Sequence, residues 1–297
     1  MKVSIISTLY RGNIYVNNLL NMATINQNNL DKNNMDIKIE SILINDCPEE
    51  KIEYALDDYK GIEIVLINNK KNSGIHQSRI NGLNVASGDY VLFLDQDDLI
   101  DDIFFVNIFK KSPEFEVMVT NAIIEQKNGK EIFYRNKYAI ACTTRLRPYL
   151  YINNQIFSPG QCLIKKSIIP QEWKNIVIQQ NGADDFFLWI LLFCNNRNFE
   201  YNFNVLYTHS FTGENLSYDL DKMCASTLEM AKLLRTVSYV PEKVISEIER
   251  CALYKNKFRK VGVAGKLWLS LKNPLMLVEN IIYHIRSRYN GGENICK

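Results

Sequence analysis

Hydrophobic residues along the first third of the chain fall into short continuous runs separated by amphipathic stretches. Residues 2–8, 37–45, 62–67 and 90–94 are runs rich in Ile, Leu and Val, bounded by turn-forming residues. Such runs predict strands buried on both faces. Between them, residues 14–26, 52–59 and 75–86 carry apolar side chains at helical spacing, for example Val16, Leu19, Leu20 and Ala23. Residues 26–34 are rich in Asn and are expected to be a loop. The resulting β-α-β-α-β-α-β order predicts an α/β fold whose parallel sheet is joined by crossover helices.

After Asp98 the alternation changes. Residues 116–126 and 131–135, separated by Lys127-Asn128-Gly129-Lys130, predict a hairpin-like pair. Short strands are expected at 161–165 and 201–209, and an apolar helix at 184–194. Helices are predicted over 220–236, 241–260 and 265–288, the last interrupted by Pro274. In this last helix Leu267, Leu271, Leu275, Val278, Ile282 and Ile285 make one apolar stripe, with Lys266, Lys272, Arg286 and Arg288 off it. A basic amphipathic helix suits an anionic membrane surface. Packing on the body of the protein or on a second copy in a homodimer explains the stripe equally well. There is no internal repeat and no low-complexity linker.

Composition narrows the class. With 297 residues, 46% hydrophobic, the chain can bury a large core. Its net charge of +2 conceals an uneven distribution: residues 251–297 carry +7, leaving −5 on the rest. That body is not a nucleic-acid-binding surface. The seven cysteines are scattered without metal-ligand spacing, so neither a zinc site nor a disulfide framework is expected. Reduced thiols fit a cytoplasmic protein. The N-terminus enters a strand directly, and no apolar run is long enough to span a bilayer, so neither a leader nor a transmembrane helix is expected.

Chemistry concentrates where Tyr90-Val91-Leu92-Phe93-Leu94 runs into Asp95-Gln96-Asp97-Asp98. Ligands of open α/β sheets bind outside the carboxyl ends of the strands. In extended chain, Asp95 and Asp97 point to one side and make half of a hard-cation site for Mg²⁺ or Mn²⁺. A solvated acidic turn that caps the next helix explains the same residues. Three further polar features end the preceding elements: Thr8-Leu9-Tyr10, Asp46, and Asn72-Ser73-Gly74 with Arg79. Neither a dinucleotide-binding glycine fingerprint nor a P-loop is present. A sugar nucleotidyltransferase would require a glycine- and arginine-rich loop after the first strand, which is absent.

Taken in order, Val3-Ser4-Ile5-Ile6-Ser7-Thr8-Leu9-Tyr10-Arg11, Leu43-Ile44-Asn45-Asp46, and the stretch from Asn72-Ser73-Gly74 through Arg79 to Asp98 resemble glycosyltransferase family 2. The resemblance implies a GT-A fold: a Rossmann-like, mostly parallel sheet with an added antiparallel part, here followed by a helical extension. It implies a nucleotide-sugar-binding half over 1–98, an acceptor and catalytic half over 99–217, and a helical region over 218–297. The implied nucleotide-binding residues are Thr8, Tyr10, Arg11, Asp46, Arg79 and Asp95. Thr8 and Tyr10 would frame the base, Asp46 would bind it, and Arg79 would support the phosphates. The implied metal ligands are Asp97, Asp95 and His209, while Asp98 is expected to cap the following turn.

In the second half, Ser158-Pro159-Gly160-Gln161-Cys162-Leu163-Ile164-Lys165-Lys166 is similar to the family's segment beneath the acceptor. Gly182-Ala183-Asp184-Asp185-Phe186-Phe187-Leu188-Trp189 is similar to its Glu-Asp-x-x-Leu-Trp motif, which implies Asp185 as catalytic base beside Asp184. Asp184 stands where Glu is commoner, and Leu191 where a basic residue is usual. Capping of the following helix by the Asp pair is compatible with this role. Leu206-Tyr207-Thr208-His209 followed by Asn215-Leu216-Ser217 resembles a late family stretch, with Thr208 in place of Arg. The implied activity is inverting, metal-dependent transfer of a hexosyl or N-acetylhexosaminyl group from a nucleoside diphosphate, with UDP the expected nucleotide. The acceptor would be a glycan or lipid-linked glycan of surface polysaccharide synthesis. The cytoplasm, with peripheral attachment to the inner membrane face, is the expected location. A non-catalytic partner subunit that kept the fold is the alternative.

Overall fold

The computed structural model describes residues 1–55, 58–213 and 219–288. The strands are β1 (Lys2–Leu9), β2 (Lys38–Asn45), β3 (Glu63–Asn68), β4 (Tyr90–Phe93), β5 (Leu99–Ile100), β6 (Val117–Gln126), β7 (Gly129–Ile132), β8 (Cys162–Lys165) and β9 (Phe199–His209). The helices are α1 (Asn13–Lys32), α2 (Ile75–Val85), α3 (Phe104–Lys111), α4 (Lys137–Ala141), α5 (Leu146–Tyr151), α6 (Gln171–Asn175) and α7 (Asp184–Cys194). They are followed by α8 (Leu220–Leu234), α9 (Glu242–Lys260), α10 (Val263–Lys272) and α11 (Pro274–Arg288).

The nine strands form one sheet in the order β3-β2-β1-β4-β8-β6-β9-β5, with β7 paired to β6. Strands β3, β2, β1 and β4 are mutually parallel, as the β-α-β pattern requires. Antiparallel pairing begins where β8 meets β4 and continues through β6, which also pairs in parallel with β9 across a bulge near Asn121. Side-chain alternation places each strand in two cores. From β4, Val91 and Phe93 join a cluster with α2, α7, α8 and α9. Tyr90 and Leu92 join the opposite cluster with α1 and α3. Burial on both faces accounts for the unbroken apolar runs.

Two expected elements differ. Helix α1 continues through the Asn-rich stretch to Lys32. There Asn26 donates to the carbonyls of Met22 and Asp101, while Gln27 donates to Ile37 O and accepts from Ile39 N. Tertiary partners thus stabilise as helix what composition alone marks as loop. Conversely, residues 52–55 of the expected helix at 52–59 are irregular. Glu53 N donates to Asn13 Oδ1, which ties this segment to α1. The pattern gives no element for 99–115, where β5 and α3 form.

Candidate active site

The carboxyl ends of β1, β2 and β4, the N-terminal parts of α2 and α7, and the end of β9 converge on a cleft of about 590 Å³. Thr8, Tyr10, Asp46, Arg79, Asp95, Asp97, Asp184, Asp185 and His209 all line it. Arg11 does not: it is exposed, at a φ of 51°, with its guanidinium 5.6 Å from the centre of the Tyr10 ring.

Asp46 follows β2 and is buried. One carboxylate oxygen accepts from Asn69 Nδ2 at 2.8 Å and Ser73 N at 2.7 Å, the other from Gly74 N at 2.9 Å. It therefore fixes the Asn72-Ser73-Gly74 loop, where Gly74 takes the left-handed φ of 82° that disfavours other residues. Beside it, Tyr10 and Gln96 clasp: Tyr10 N donates to Gln96 Oε1 at 2.9 Å, and Gln96 Nε2 donates to Tyr10 O at 3.3 Å. The first and fourth strand ends are thereby held together.

Arg79, projecting from α2, is the buried centre of the site. Nη1 donates to Asp184 Oδ2 at 2.6 Å and Nη2 donates to Asp95. A planar guanidinium can serve two carboxylates at once, which an ammonium of the same reach cannot. Asp184 and Asp185 occupy the first turn of α7, but Ala183 is the N-cap residue and no side chain caps this helix. The capping role expected for the pair is not observed.

The environments of the two aspartates separate them. Burial would raise Asp184, but Arg79 and His76 outweigh it and hold its carboxyl below the ordinary value. Asp185 accepts from Asn154 Nδ2 at 2.9 Å. Burial, and then the negative charge of Asp184, push its carboxyl up to about 7. Two neighbouring carboxylates thus carry different protonation states near neutral pH.

Asp98 also departs from expectation. Instead of capping the next turn it is fully buried and reaches across to β9. It accepts from the Tyr207 hydroxyl and from Ser210 N at 3.1 Å, and lies 2.9 Å from His209 Nδ1. Gly160 admits this arrangement, because a Cβ there would come within 2.5 Å of the Tyr207 ring. Burial opposes the imidazolium of His209, but Asp98 prevails and raises its pKa. A carboxylate on one imidazole nitrogen is the arrangement that orients a histidine toward a metal with the other. Asp97 is pushed up to about 6 by burial, then by Asp98 and Asp95. Among the described residues, no three or more His, Cys, Asp or Glu side chains converge closely enough to hold a metal ion unaided.

His76 lies apart from this chemistry. It is buried, accepts from Ile178 N with Nδ1 and so donates to Trp173 O with Nε2, and burial lowers its pKa. Trp173 and Trp189 are core residues. The six described cysteines are unpaired thiols. Asn215-Leu216-Ser217 lies outside the described residues.

Comparison with known proteins assigns the chain. The family model for glycosyl transferase family 2 matches residues 23–173. The chain belongs to glycosyltransferase family 2. Among solved structures, S. aureus TarS 1–349 in complex with UDP-GlcNAc matches with a TM-score of 0.64 at 17% identity. That match covers 95% of this chain and 80% of TarS 1–349. The mannosyltransferase PcManGT of Pyrobaculum calidifontis, in complex with GDP-Man and Mn²⁺, matches at a TM-score of 0.53 and 11% identity, over 97% and 87% of the two chains. These likenesses establish the GT-A architecture. In sequence, the minor teichoic acid biosynthesis protein GgaB of Bacillus subtilis is 36% identical over 72 residues, 24% of this chain and 8% of GgaB. An inactive polypeptide N-acetylgalactosaminyltransferase-like protein 5 of Macaca fascicularis is 28% identical over 101 residues, 32% of this chain and 23% of that protein.

The family motifs locate Asp46, Arg79, Asp95, Asp97 and Asp185 but not the residues that set their environment. Tyr15, Gln96, Asn154, Phe157 and Met223 also line the cleft. Only Gln96 carried a signal, standing between two motif aspartates. The others come from surfaces whose apolar or polar pattern is ordinary for a helix or loop.

Proposed function

We propose that this family 2 glycosyltransferase transfers a hexosyl or N-acetylhexosaminyl group, with inversion, from a UDP-sugar to a hydroxyl of a glycan or lipid-linked glycan. The observation that carries the reading is the divided pair at the start of α7: Asp184 locked to Arg79, and Asp185 with a carboxyl near neutrality facing the cleft. Asp185 accepts the acceptor hydroxyl proton as that oxygen bonds to the anomeric carbon. The bond from that carbon to the diphosphate oxygen breaks, and its electron pair leaves with the nucleoside diphosphate. A pKa close to the working pH is what general-base catalysis favours. Asp184, ionised and paired, keeps Arg79 in place and does not take the proton. Thr8, Tyr10 and the loop held by Asp46 form the wall on which the nucleoside would rest.

The donor set suits a divalent cation. Burial, and then the neighbouring charges of Asp98 and Asp95, push the Asp97 carboxyl up to about 6. Asp97, with Asp95 and His209, would hold Mn²⁺ or Mg²⁺, the remaining ligands being phosphate oxygens and water. Bound there, the ion would supply positive charge against the leaving diphosphate. The relation to GgaB supports an acceptor in teichoic acid or similar surface polymer synthesis in the cytoplasm.

The resemblance to an inactive transferase-like protein favours a second reading, a non-catalytic subunit. Nucleotide release from a panel of UDP- and GDP-sugars, measured with Mn²⁺, with Mg²⁺ and with chelator, separates the two. Turnover of at least one donor that stops on chelation is expected. Nucleotide binding without turnover of any donor, with or without glycan acceptors, would favour the subunit.

A further inference from the structure

Helix α11 turns only part of its apolar surface to the body: Met276 is buried and Leu277, Ile282 and Tyr283 are half-buried, while Leu275, Val278, Ile281 and Ile285 are exposed. The side it turns to the body carries Met276, Glu279 and Asn280. Met276 is fully buried, Asn280 Nδ2 donates to Tyr151 O at 3.1 Å, and Glu279 lies 2.6 Å from Arg147. Asn136 Nδ2 also donates to Arg286 O at 2.8 Å. At 100° per residue, Val278, Ile281 and Ile285 stand roughly half a turn from Met276 and Leu275 roughly a quarter turn, and the four are 46–63% exposed. On α10, Leu267, Trp268 and Leu271 are 56–69% exposed. A helix on a protein surface ordinarily buries its apolar side and turns its polar side to water. Here Met276, Tyr283 and these polar contacts anchor the helix, while a further run of apolar side chains remains uncovered, which marks a surface for a partner. The expected stripe is present, with Ile281 outward and Ile282 half-buried, and packing on the body does not consume it.

Charge selects the occupant. From 261 to 288 the Lys, Arg, Asp and Glu side chains are Lys266, Lys272, Arg286 and Arg288 against Glu279. Glu279 is already paired with Arg147. Lys272 Nζ lies 3.8 Å from the centre of the Trp268 ring, placing a cation directly beside exposed apolar surface. A second copy of the chain would set these cations against their like. An anionic bilayer surface supplies hydrocarbon for Leu, Ile and Trp and negative headgroups for Lys and Arg. No described helix is long and apolar enough to cross a membrane.

We propose that α10 and α11 form a docking surface that lies in the plane of an anionic lipid membrane. The same anchoring reaches the cleft. Asn280 holds Tyr151, and three residues further along Asn154 holds Asp185. On the proposed function, residues 151–154 thus link the docking helix to the catalytic base.

Trp268 provides a local reporter, because Trp173 and Trp189 are buried at 1% and 0% exposure. The full chain is mixed with vesicles of phosphatidylcholine alone, or with roughly one-third phosphatidylglycerol to supply negative headgroup charge. Sedimentation and tryptophan emission are then followed. Co-sedimentation with anionic vesicles and a blue shift absent from Trp268→Phe are expected, both reduced by high salt. Since each basic residue near an anionic surface contributes roughly a five-fold factor, Lys266→Gln/Lys272→Gln should weaken partitioning on the order of 25-fold. Leu271→Gln/Val278→Gln should weaken it at least as much while leaving donor turnover unchanged. No partitioning, or partitioning that these substitutions do not alter, overturns the proposal. So does a dimer in ultracentrifugation that Leu271→Gln/Val278→Gln turns into a monomer, because a second copy then covers the face. None of these readouts depends on transfer activity, so the proposal and the reading of function can fail separately.

Discussion

Replacing the two aspartates at the start of α7 by Asn, one at a time, should give opposite kinds of damage. Asp184 sits at 2.6 Å from Arg79, with both side chains buried. Asp184→Asn leaves the buried guanidinium with Asp95 as its remaining carboxylate partner. Breaking a buried pair from one side destabilises by roughly 3–5 kcal/mol. For a domain of this size that lowers Tm by roughly 5–15 °C. Asp185 accepts from Asn154, and burial and the charge of Asp184 outweigh the more distant Arg79, so its ionised form is disfavoured. Asp185→Asn should therefore leave Tm at neutral pH unchanged or raise it. The sign follows from linkage. The carboxyl is pushed up to about 7, so the folded state holds a proton that the unfolded chain has released between about pH 4 and 7. Its contribution to stability falls as pH rises across that window, and removing the charge returns the loss above it. Activity should behave in the reverse way, with kcat for Asp185→Asn falling roughly 10²–10⁴-fold as a positioned base is lost. Steady-state transfer, donor calorimetry and thermal melts at pH 5.5 and 8 read all of this. A stable but dead Asp184→Asn beside an active Asp185→Asn would falsify the assignment of roles, and near-normal turnover in both would place the base elsewhere.

Three further outcomes are expected. The log of kcat/KM should rise with pH to a plateau above about 7, following deprotonation of Asp185, and Asn154→Ala should move that limb upward, because the Asn154 hydrogen bond favours the ionised form; a limb that does not move removes Asn154 from this role. Asp97→Ala should weaken UDP binding at least ten-fold in the presence of Mn²⁺, about 1.4 kcal/mol by calorimetry, and equal affinity with and without the ion in both proteins would remove the metal role. Tyr207→Phe should destabilise by roughly 1–3 kcal/mol, the range for a buried acceptor that loses its donor, since Asp98 is fully buried and uses that hydroxyl; denaturant unfolding measures it, and an unchanged midpoint would show that the contact contributes nothing.

The side of the cleft proposed to take the donor was legible because its strands are buried on both faces and end on polar residues whose order is specific. Those features are local. The side proposed to take the acceptor is assembled differently. Asn154 follows the short helix α5, and its partner Asp185 is 31 residues away. Phe157 belongs to a turn, and Tyr15 and Met223 come from helices whose patterns mark only which side is buried. Asp98 illustrates the limit: beside Asp95 and Asp97 it looks like one more loop carboxylate, because its partners lie 109 and 112 residues further on. Residues 52–55, within the helix expected at 52–59, are irregular, and Glu53 N is held by Asn13, forty residues earlier, a contact no local pattern records. In α10 and α11 the apolar stripe was visible, but which side faces the body depended on Met276 and Asn280.

The grip of Asp98 on Tyr207, His209 and Ser210 also bears on how such an enzyme can be recombined. Its carboxylate ends the very motif proposed to serve the donor, yet the groups that donate to it come from β9 and the residue after it. Residues 1–98 made alone would leave that charge without its donors and β4 without β8 along its edge. A chimera that takes acceptor specificity from a relative must therefore import a matching 207–210 segment, or carry both from one parent. Exchange is freest in the loops between these two anchor points, where the acceptor wall is built and the sheet does not depend on the sequence.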